Sequence, residues 1–308
     1  MSAETQTIRL LNGRMFTIRL LLISMRPWDW VKNAFLFSAL FFSKNLLNPE
    51  LLVKTLIAFG LFCLTTGGVY IINDILDRNQ DKKHPQKSMR PIASGALPIA
   101  LAAPSAVGLL IFALCGAFLL KLPFGLVLSV YVILTLGYSN WFKHMVILDV
   151  FSIAAGFVLR VVAGAVVIDV VMSHWLLICT MLLSLFLGFS KRRNEIVNLA
   201  DQTNLHRRVL AEYNPLFLDM MIGISTSATV IGYILYTVST ETIQNFNTDR
   251  LILSVPFVLY GIFRYLYLVY HKNLGAAPGQ TLLTDRPLLT NIALWAIVSG
   301  VIIYIGNS

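Results

Sequence analysis

Charge is what this chain has least of. Asp, Glu, Lys and Arg make up 13% of its 308 residues, about half the share usual in a soluble domain. With 57% of the residues hydrophobic, such a chain falls outside the soluble globular class. Cysteine is also scarce. Cys63, Cys115 and Cys179 sit inside apolar runs with no ligand-like spacing, which excludes a Cys-based metal centre and leaves small core residues. His84, His144, His174, His206 and His271 are scattered without zinc spacing. There is no nucleophile elbow, P-loop or dinucleotide fingerprint, so the corresponding hydrolase, NTPase and dehydrogenase readings drop out. No secretory leader is expected either, because the apolar patch Leu20 to Ile23 is too short and no small-residue cleavage pattern follows it. Residues 1–25 read as a basic cytoplasmic tail.

What the chain does have is long apolar runs near the ~20 residues needed to cross a bilayer. Nine are expected: Val31–Phe42 (extended by its flanks), Leu51–Leu76, Ile99–Leu120, Phe124–Tyr138, Val146–Ile168, His174–Ser190, Leu216–Ser239, Leu251–Tyr270 and Leu288–Ile305. Gly125 and Gly137 interrupt the fourth. The fold class is therefore all-α, a polytopic membrane protein with a single bundle of about nine transmembrane helices over residues 1–308.

The net charge of +9 does not point to nucleic acid, because the basic residues flank the apolar runs, where they set orientation and meet anionic head groups. With the N-terminus inside, nineteen of the 24 Lys and Arg fall on the cytoplasmic side and only Lys44, Lys54, Lys121 and Arg250 on the other, with Arg160 inside a span. That asymmetry places the chain in the inner membrane with its C-terminus outside.

The few acids are informative. Asp74, Asp77 and Asp81 follow Asn73 at the end of the second run, spaced i, i+3, i+7, and share one face if the segment is helical. Three carboxylates so close repel one another unless something positive sits among them. Hard oxygen ligands on one side suit Mg²⁺. The plainer alternative is a solvated helix end. Lys82, Lys83, His84, Lys87 and Arg90 come next, an anion cradle or simply topology charge, before Pro91 and Gly95 turn the chain back.

A second group comprises Tyr138, Lys143, Asp149 and Arg160. Asp149 and Arg160 are eleven residues apart and lie on one helix face, and an arginine that deep calls for an anionic partner: Asp149, a neighbouring acid or a substrate phosphate. Lys191, Arg192 and Arg193 with Glu195 close the sixth run, and Lys32 with Asn33 opens the first. Asp285-Arg286-Pro287 reads equally as a helix cap or a functional group. All these groups are expected at one cytosolic vestibule, suited to substrates with phosphate heads and a lipid tail.

The pattern Asn73-Asp74-x-x-Asp77-x-x-x-Asp81, with Arg90-Pro91 after it, resembles the first aspartate-rich motif of the UbiA superfamily of membrane prenyltransferases. The second motif of that superfamily usually carries two Asp about four residues apart; here Asp149 stands alone. Further elements are similar to the decaprenyl-phosphate phosphoribosyltransferase branch: Arg26-Pro27-x-x-Trp30-Val31-Lys32-Asn33, His84-Pro85-x-Lys87-x-x-Arg90-Pro91-Ile92-Ala93-x-Gly95, Tyr138-Ser139-x-x-x-Lys143, Arg160-x-x-Ala163-Gly164 and Lys191-Arg192.

The resemblance implies that a polyprenyl phosphate attacks C1 of phosphoribosyl diphosphate and pyrophosphate leaves, for cell-envelope polysaccharide synthesis. It implies Mg²⁺ on Asp74, Asp77 and Asp81, with Asp77, Asp81, Asp149 and Arg160 catalytic. Lys32, Asn73, Lys82, Lys83, Lys87, Arg90, Tyr138, Lys143, Lys191 and Arg192 would bind substrate. The lipid bilayer is a further partner and a homo-oligomer is left open. One alternative moves an isoprenoid from a prenyl diphosphate to an aromatic or other acceptor. A transporter is disfavoured, because the acids lie at one face and no internal repeat is evident.

Overall fold

The computed structural model describes residues 16–198, 212–272, 274–275 and 278–305. Arg9, Arg14, His206, Arg207 and Arg208 lie outside the described residues. Among those described there is no strand, and eight helices are long and apolar enough to cross a membrane. They are α1 (Pro49–Leu76), α2 (Ile99–Leu120), α3 (Leu122–Asn140), α4 (Leu148–Val167), α5 (His174–Asn198), α6 (Pro215–Val238), α7 (Val255–His271) and α8 (Arg286–Ile305).

The expected first span is built differently. A 3₁₀ helix, Pro27–Leu36, runs into the short α-helix Phe37–Phe42. Because 3₁₀ backbone rises faster per residue, such a stretch reaches roughly 29 Å, close to the ~30 Å hydrocarbon thickness. The interruption expected at Gly125 and Gly137 is absent, and α3 is continuous. Gly125 packs under the Phe118 ring, where a Cβ would collide. The sixth expected run ends at Ser190, yet α5 continues to Asn198 and carries the basic group on helix rather than loop.

The chain divides into two compact units, residues 1–33 with 57–136 and residues 34–56 with 137–308. In the first, residues 16–24 of the expected tail are helical. Leu20, Leu21 and Met25 find an apolar surface on Ile71, Ile92, Leu97, Ala102 and Ala106. The i→i+4 ladder of α1 survives through Asp77, whose N–H donates to Asn73 O at 2.8 Å and whose carbonyl accepts from Asp81 N at 2.8 Å. The short helix Arg78–Asp81 therefore follows with a one-residue interruption. Pro91 opens a four-residue helix that Gly95 ends at φ 85°, a left-handed conformation glycine adopts without steric penalty.

The core of the second unit is built on Val150, Phe186, Leu218, Ile262, Tyr265 and Val269, with Phe186 meeting Tyr265 edge-on at 5.4 Å. Asn214 caps α6 by accepting from Leu216 N at 2.8 Å, with Pro215 at the first helical position. Gly164 of α4 lies directly against the Leu36 carbonyl.

Candidate functional site

In the first unit, the helical spacing read from the sequence brings two of the three aspartates to one cation. Arg90 Nη1 donates to Asp74 Oδ1 at 3.1 Å and to Asp81 Oδ2 at 2.7 Å. Both carboxylates are almost fully buried, Asp74 at 2% and Asp81 at 4% exposure. Arg26, 48 residues upstream, pairs with the same Asp74 Oδ1, and its guanidinium lies 4.9 Å from the Tyr70 ring centroid. Asp77 is half-buried beside this group. Among the described residues no three His, Cys, Asp or Glu side chains come close enough together to enclose a metal ion. The carboxylate repulsion is relieved here by two arginines.

Of the other residues expected in this cluster, Lys82 and Lys83 are exposed and Lys87 is half-buried. The His84 ring accepts from the backbone N–H of Gln86 and Lys87 at 3.2 and 3.3 Å, which folds the basic loop on itself. Lys32 pairs locally with Asp29. Asn33 is buried and donates to Cys63 Sγ at 3.2 Å and Thr66 Oγ1 at 3.3 Å, a structural tie.

The second unit holds a different arrangement. Asp149 is fully buried, and Arg192 is 1% exposed. Asp149 Oδ2 accepts from Arg192 Nε at 2.6 Å and Oδ1 from the Tyr213 hydroxyl at 2.7 Å. Arg192 also donates to Glu195 Oε2 at 2.6 Å and to the Tyr138 hydroxyl at 3.0 Å. Burial, followed by the hydrogen bond to Asp149, raises the Tyr213 hydroxyl above its ordinary pKa.

Asp149 and Arg192 are sealed from solvent and satisfy each other. Of the three partners weighed for Arg160, Asp149 gives way, because Asp149 is matched by Arg192. Arg160 donates to the Gly156 carbonyl at 2.8 Å and stacks on Phe157 at 5.2 Å. Lys143 is buried, Tyr138 is half-buried, and Lys191 lies 3.8 Å from Glu195.

Sequence reasoning missed Tyr213, which offers no local signal, and did not rank Arg26, whose signal was the Arg-Pro pair at the first span. It also missed a group joining α5, α6 and α7. Arg193 Nε and the Tyr270 hydroxyl both donate to Asp219 Oδ1, at 2.6 and 2.8 Å, and Arg193 lies 4.1 Å from the Tyr270 ring centroid. Asp285 resolves as a cap, accepting from Leu288 N at 2.9 Å, and as a bidentate partner of Arg264 at 3.1 and 2.8 Å.

Eight apolar spans among the described residues, with two buried clusters of acids and bases between them, define a multi-pass helical membrane protein. The profile of the UbiA prenyltransferase family matches residues 34–283, and the chain belongs to that family. A decaprenyl-phosphate phosphoribosyltransferase of Corynebacterium glutamicum is 32% identical over 291 residues, covering 92% of this chain and 86% of that protein. One of Mycobacterium tuberculosis is 30% identical over 289 residues, covering 92% and 94%. A UbiA homolog from Archaeoglobus fulgidus, solved bound to DMAPP and Mg²⁺, shares the fold with a TM-score of 0.69 at 19% identity, over 92% of this chain and 98% of that one.

Proposed function

We propose that this protein transfers 5-phosphoribose from phosphoribosyl diphosphate to a polyprenyl phosphate with release of pyrophosphate. Relatives matched over nine-tenths of the chain are named decaprenyl-phosphate phosphoribosyltransferases, which supports the acceptor class and the group transferred. The observation that supports the reading is the convergence of Asp74 and Asp81 on the Arg90 guanidinium, with Arg26 on the same Asp74 and the basic loop following.

That donor set fits a hard divalent cation. Mg²⁺ commonly takes only one or two protein carboxylates and completes its shell with water and phosphate oxygens, so two carboxylates suffice. Asp74 and Asp81, with Asp77, are its proposed ligands. When bound, the ion neutralises charge on the departing diphosphate.

The chain's own residues do the remaining work. Arg26 and Arg90 grip diphosphate oxygens with planar, bidentate guanidinium groups, and Lys82, Lys83 and Lys87 add positive charge around them. An acceptor phosphate oxygen forms the new bond to C1 as the C1–O bond to the diphosphate breaks and its electron pair leaves with pyrophosphate. With a second pKa of about 6 the acceptor phosphate is already anionic at neutral pH, so no strong general base is required. Tyr138, Lys143 and Arg160 are proposed to position the ribosyl group and the acceptor phosphate. Asn73 and Lys191 are proposed substrate contacts. The distribution of Lys and Arg supports an inner-membrane location with the acidic cluster facing the cytoplasm.

The test is an assay of purified protein with labelled phosphoribosyl diphosphate and polyprenyl phosphates of several lengths, with and without Mg²⁺. Metal-dependent polyprenyl phosphoribose is expected. Turnover only with prenyl diphosphate donors would transfer the protein to the isoprenoid-moving branch of its family.

A further inference from the structure

Ile147 adopts φ 69° and ψ −49°, and Leu148 N donates to Val146 O at 2.8 Å. This is a γ-turn of the rarer, positive-φ hand, and a β-branched residue is a poor occupant of that conformation. Such strain persists where surrounding contacts over-determine it, and it gathers at functional sites. Here the contacts are explicit. The Tyr213 hydroxyl accepts from Ile147 N at 2.7 Å and donates to Asp149 Oδ1 at 2.7 Å. The guanidinium of Arg192 reaches Tyr138 at the end of α3 and Asp149 at the start of α4, so one side chain grips both ends of the connecting loop. That loop carries Lys143.

We propose that Tyr213 is a positioning residue: its hydroxyl holds Ile147 in the strained turn and so sets the loop that presents Lys143 to the phosphate of the lipid acceptor. The kinetic part rests on the phosphoribosyl-transfer reading; the structural part does not. The ring of Tyr213 belongs to the apolar core and stacks on Phe217 at 6.2 Å, which would serve packing with or without the hydroxyl. The hydroxyl is the group in question.

The experiment compares wild type, Tyr213→Phe and Tyr213→Phe combined with Ile147→Gly. Tyr213→Phe keeps the ring and removes the hydrogen bonds. Its KM for polyprenyl phosphate is expected to rise on the order of tenfold, because small misplacements of a positioning group are felt strongly in catalysis. Hydrogen exchange over residues 142–149 is expected to accelerate. Glycine takes positive φ without a Cβ clash, so the Ile147→Gly change should restore the turn and most of the KM. Unchanged exchange over 142–149 in Tyr213→Phe, or a double variant no better than the single one, overturns the inference. If Tyr213→Phe does not fold, Ile147→Gly alone is read by exchange: the inference expects a loop at least as protected as wild type, and a looser one overturns it. Should wild type fail to transfer phosphoribose at all, the functional reading falls, while the exchange comparison still decides the role of Tyr213.

Discussion

Arg192 Nε stands 2.6 Å from Asp149 Oδ2, and neither side chain reaches the surface. Removing one partner from such a pair strands the other as an uncompensated buried charge, at a cost of about 3–5 kcal/mol. Asp149→Ala and Arg192→Met are each expected to lower the thermal unfolding midpoint in detergent sharply. The double variant Asp149→Leu with Arg192→Met should recover part of the loss, because the isolated charge is gone. A double variant as unstable as the sum of the two single ones would show that the pair is not coupled.

The aspartates of the first cluster make a different prediction. Asp77→Ala, Asp74→Asn and Asp81→Asn are each expected to reduce Mg²⁺-dependent transfer by about 100-fold or more, the scale of several kcal/mol supplied by a bound cation. Calorimetric titration with Mn²⁺ gives a readout independent of turnover. Near-normal turnover in Asp77→Ala would remove that residue from the metal set.

Arg90→Lys separates geometry from charge. Lysine keeps the positive charge but cannot address two carboxylates and a diphosphate through a planar fork. The KM for the diphosphate donor should rise about tenfold with little change in KM for the lipid acceptor, a loss of about 1.4 kcal/mol in binding. Equal effects on both substrates would count against a donor-specific role.

Stability should depend on pH at both extremes. The hydrogen bond from Arg264 holds the Asp285 carboxyl below its ordinary 3.8. A carboxyl whose folded value is depressed contributes fully above its unfolded value and loses that contribution as pH falls through the folded one. The midpoint should therefore decline on acidification below about pH 4, less steeply in Asp285→Asn, and only modestly because the pair is near the surface. Tyr213 behaves oppositely, its raised value giving a contribution complete below its ordinary 10.0 and lost as pH climbs through the folded value. Tyr213→Phe should flatten the alkaline limb of the stability curve.

Close approach at Gly164 can be tested against a permissive control. A Cβ there would overlap the Leu36 carbonyl oxygen, a backbone atom with little room to move, whereas Gly60 has nothing within 4 Å. Gly164→Ala is expected to destabilise by roughly 1–3 kcal/mol. Gly60→Ala should be neutral or stabilising by up to about 1 kcal/mol, as expected for glycine inside a helix.

Much of the first cluster was legible in the sequence. Asp74 and Asp81 are two helical turns apart, and local periodicity alone places them on one face. That Arg90 would sit between them, and that Arg26 would join from 48 residues away, needed the packed chain. The second cluster was legible only in its membership. Asp149, Arg192 and Tyr138 were all singled out, yet Asp149 was weighed only as a partner of Arg160, beside a neighbouring acid and a substrate phosphate, because the two share a helix face. The observed partner lies 43 residues further on, and Tyr213, 64 residues away, announced itself by nothing in its surroundings.

Run length and the placement of Lys and Arg were enough to establish a polytopic helical membrane protein. Lipid offers backbone groups no hydrogen bonds, so an apolar run of sufficient length has helix as its open-chain solution. Which acid meets which base, and which of them are buried, followed from helix packing. Those pairings turn on a few ångströms between segments far apart in the chain, where side-chain bulk and close contacts such as Gly164 on Leu36 govern the outcome and local spacing carries no information.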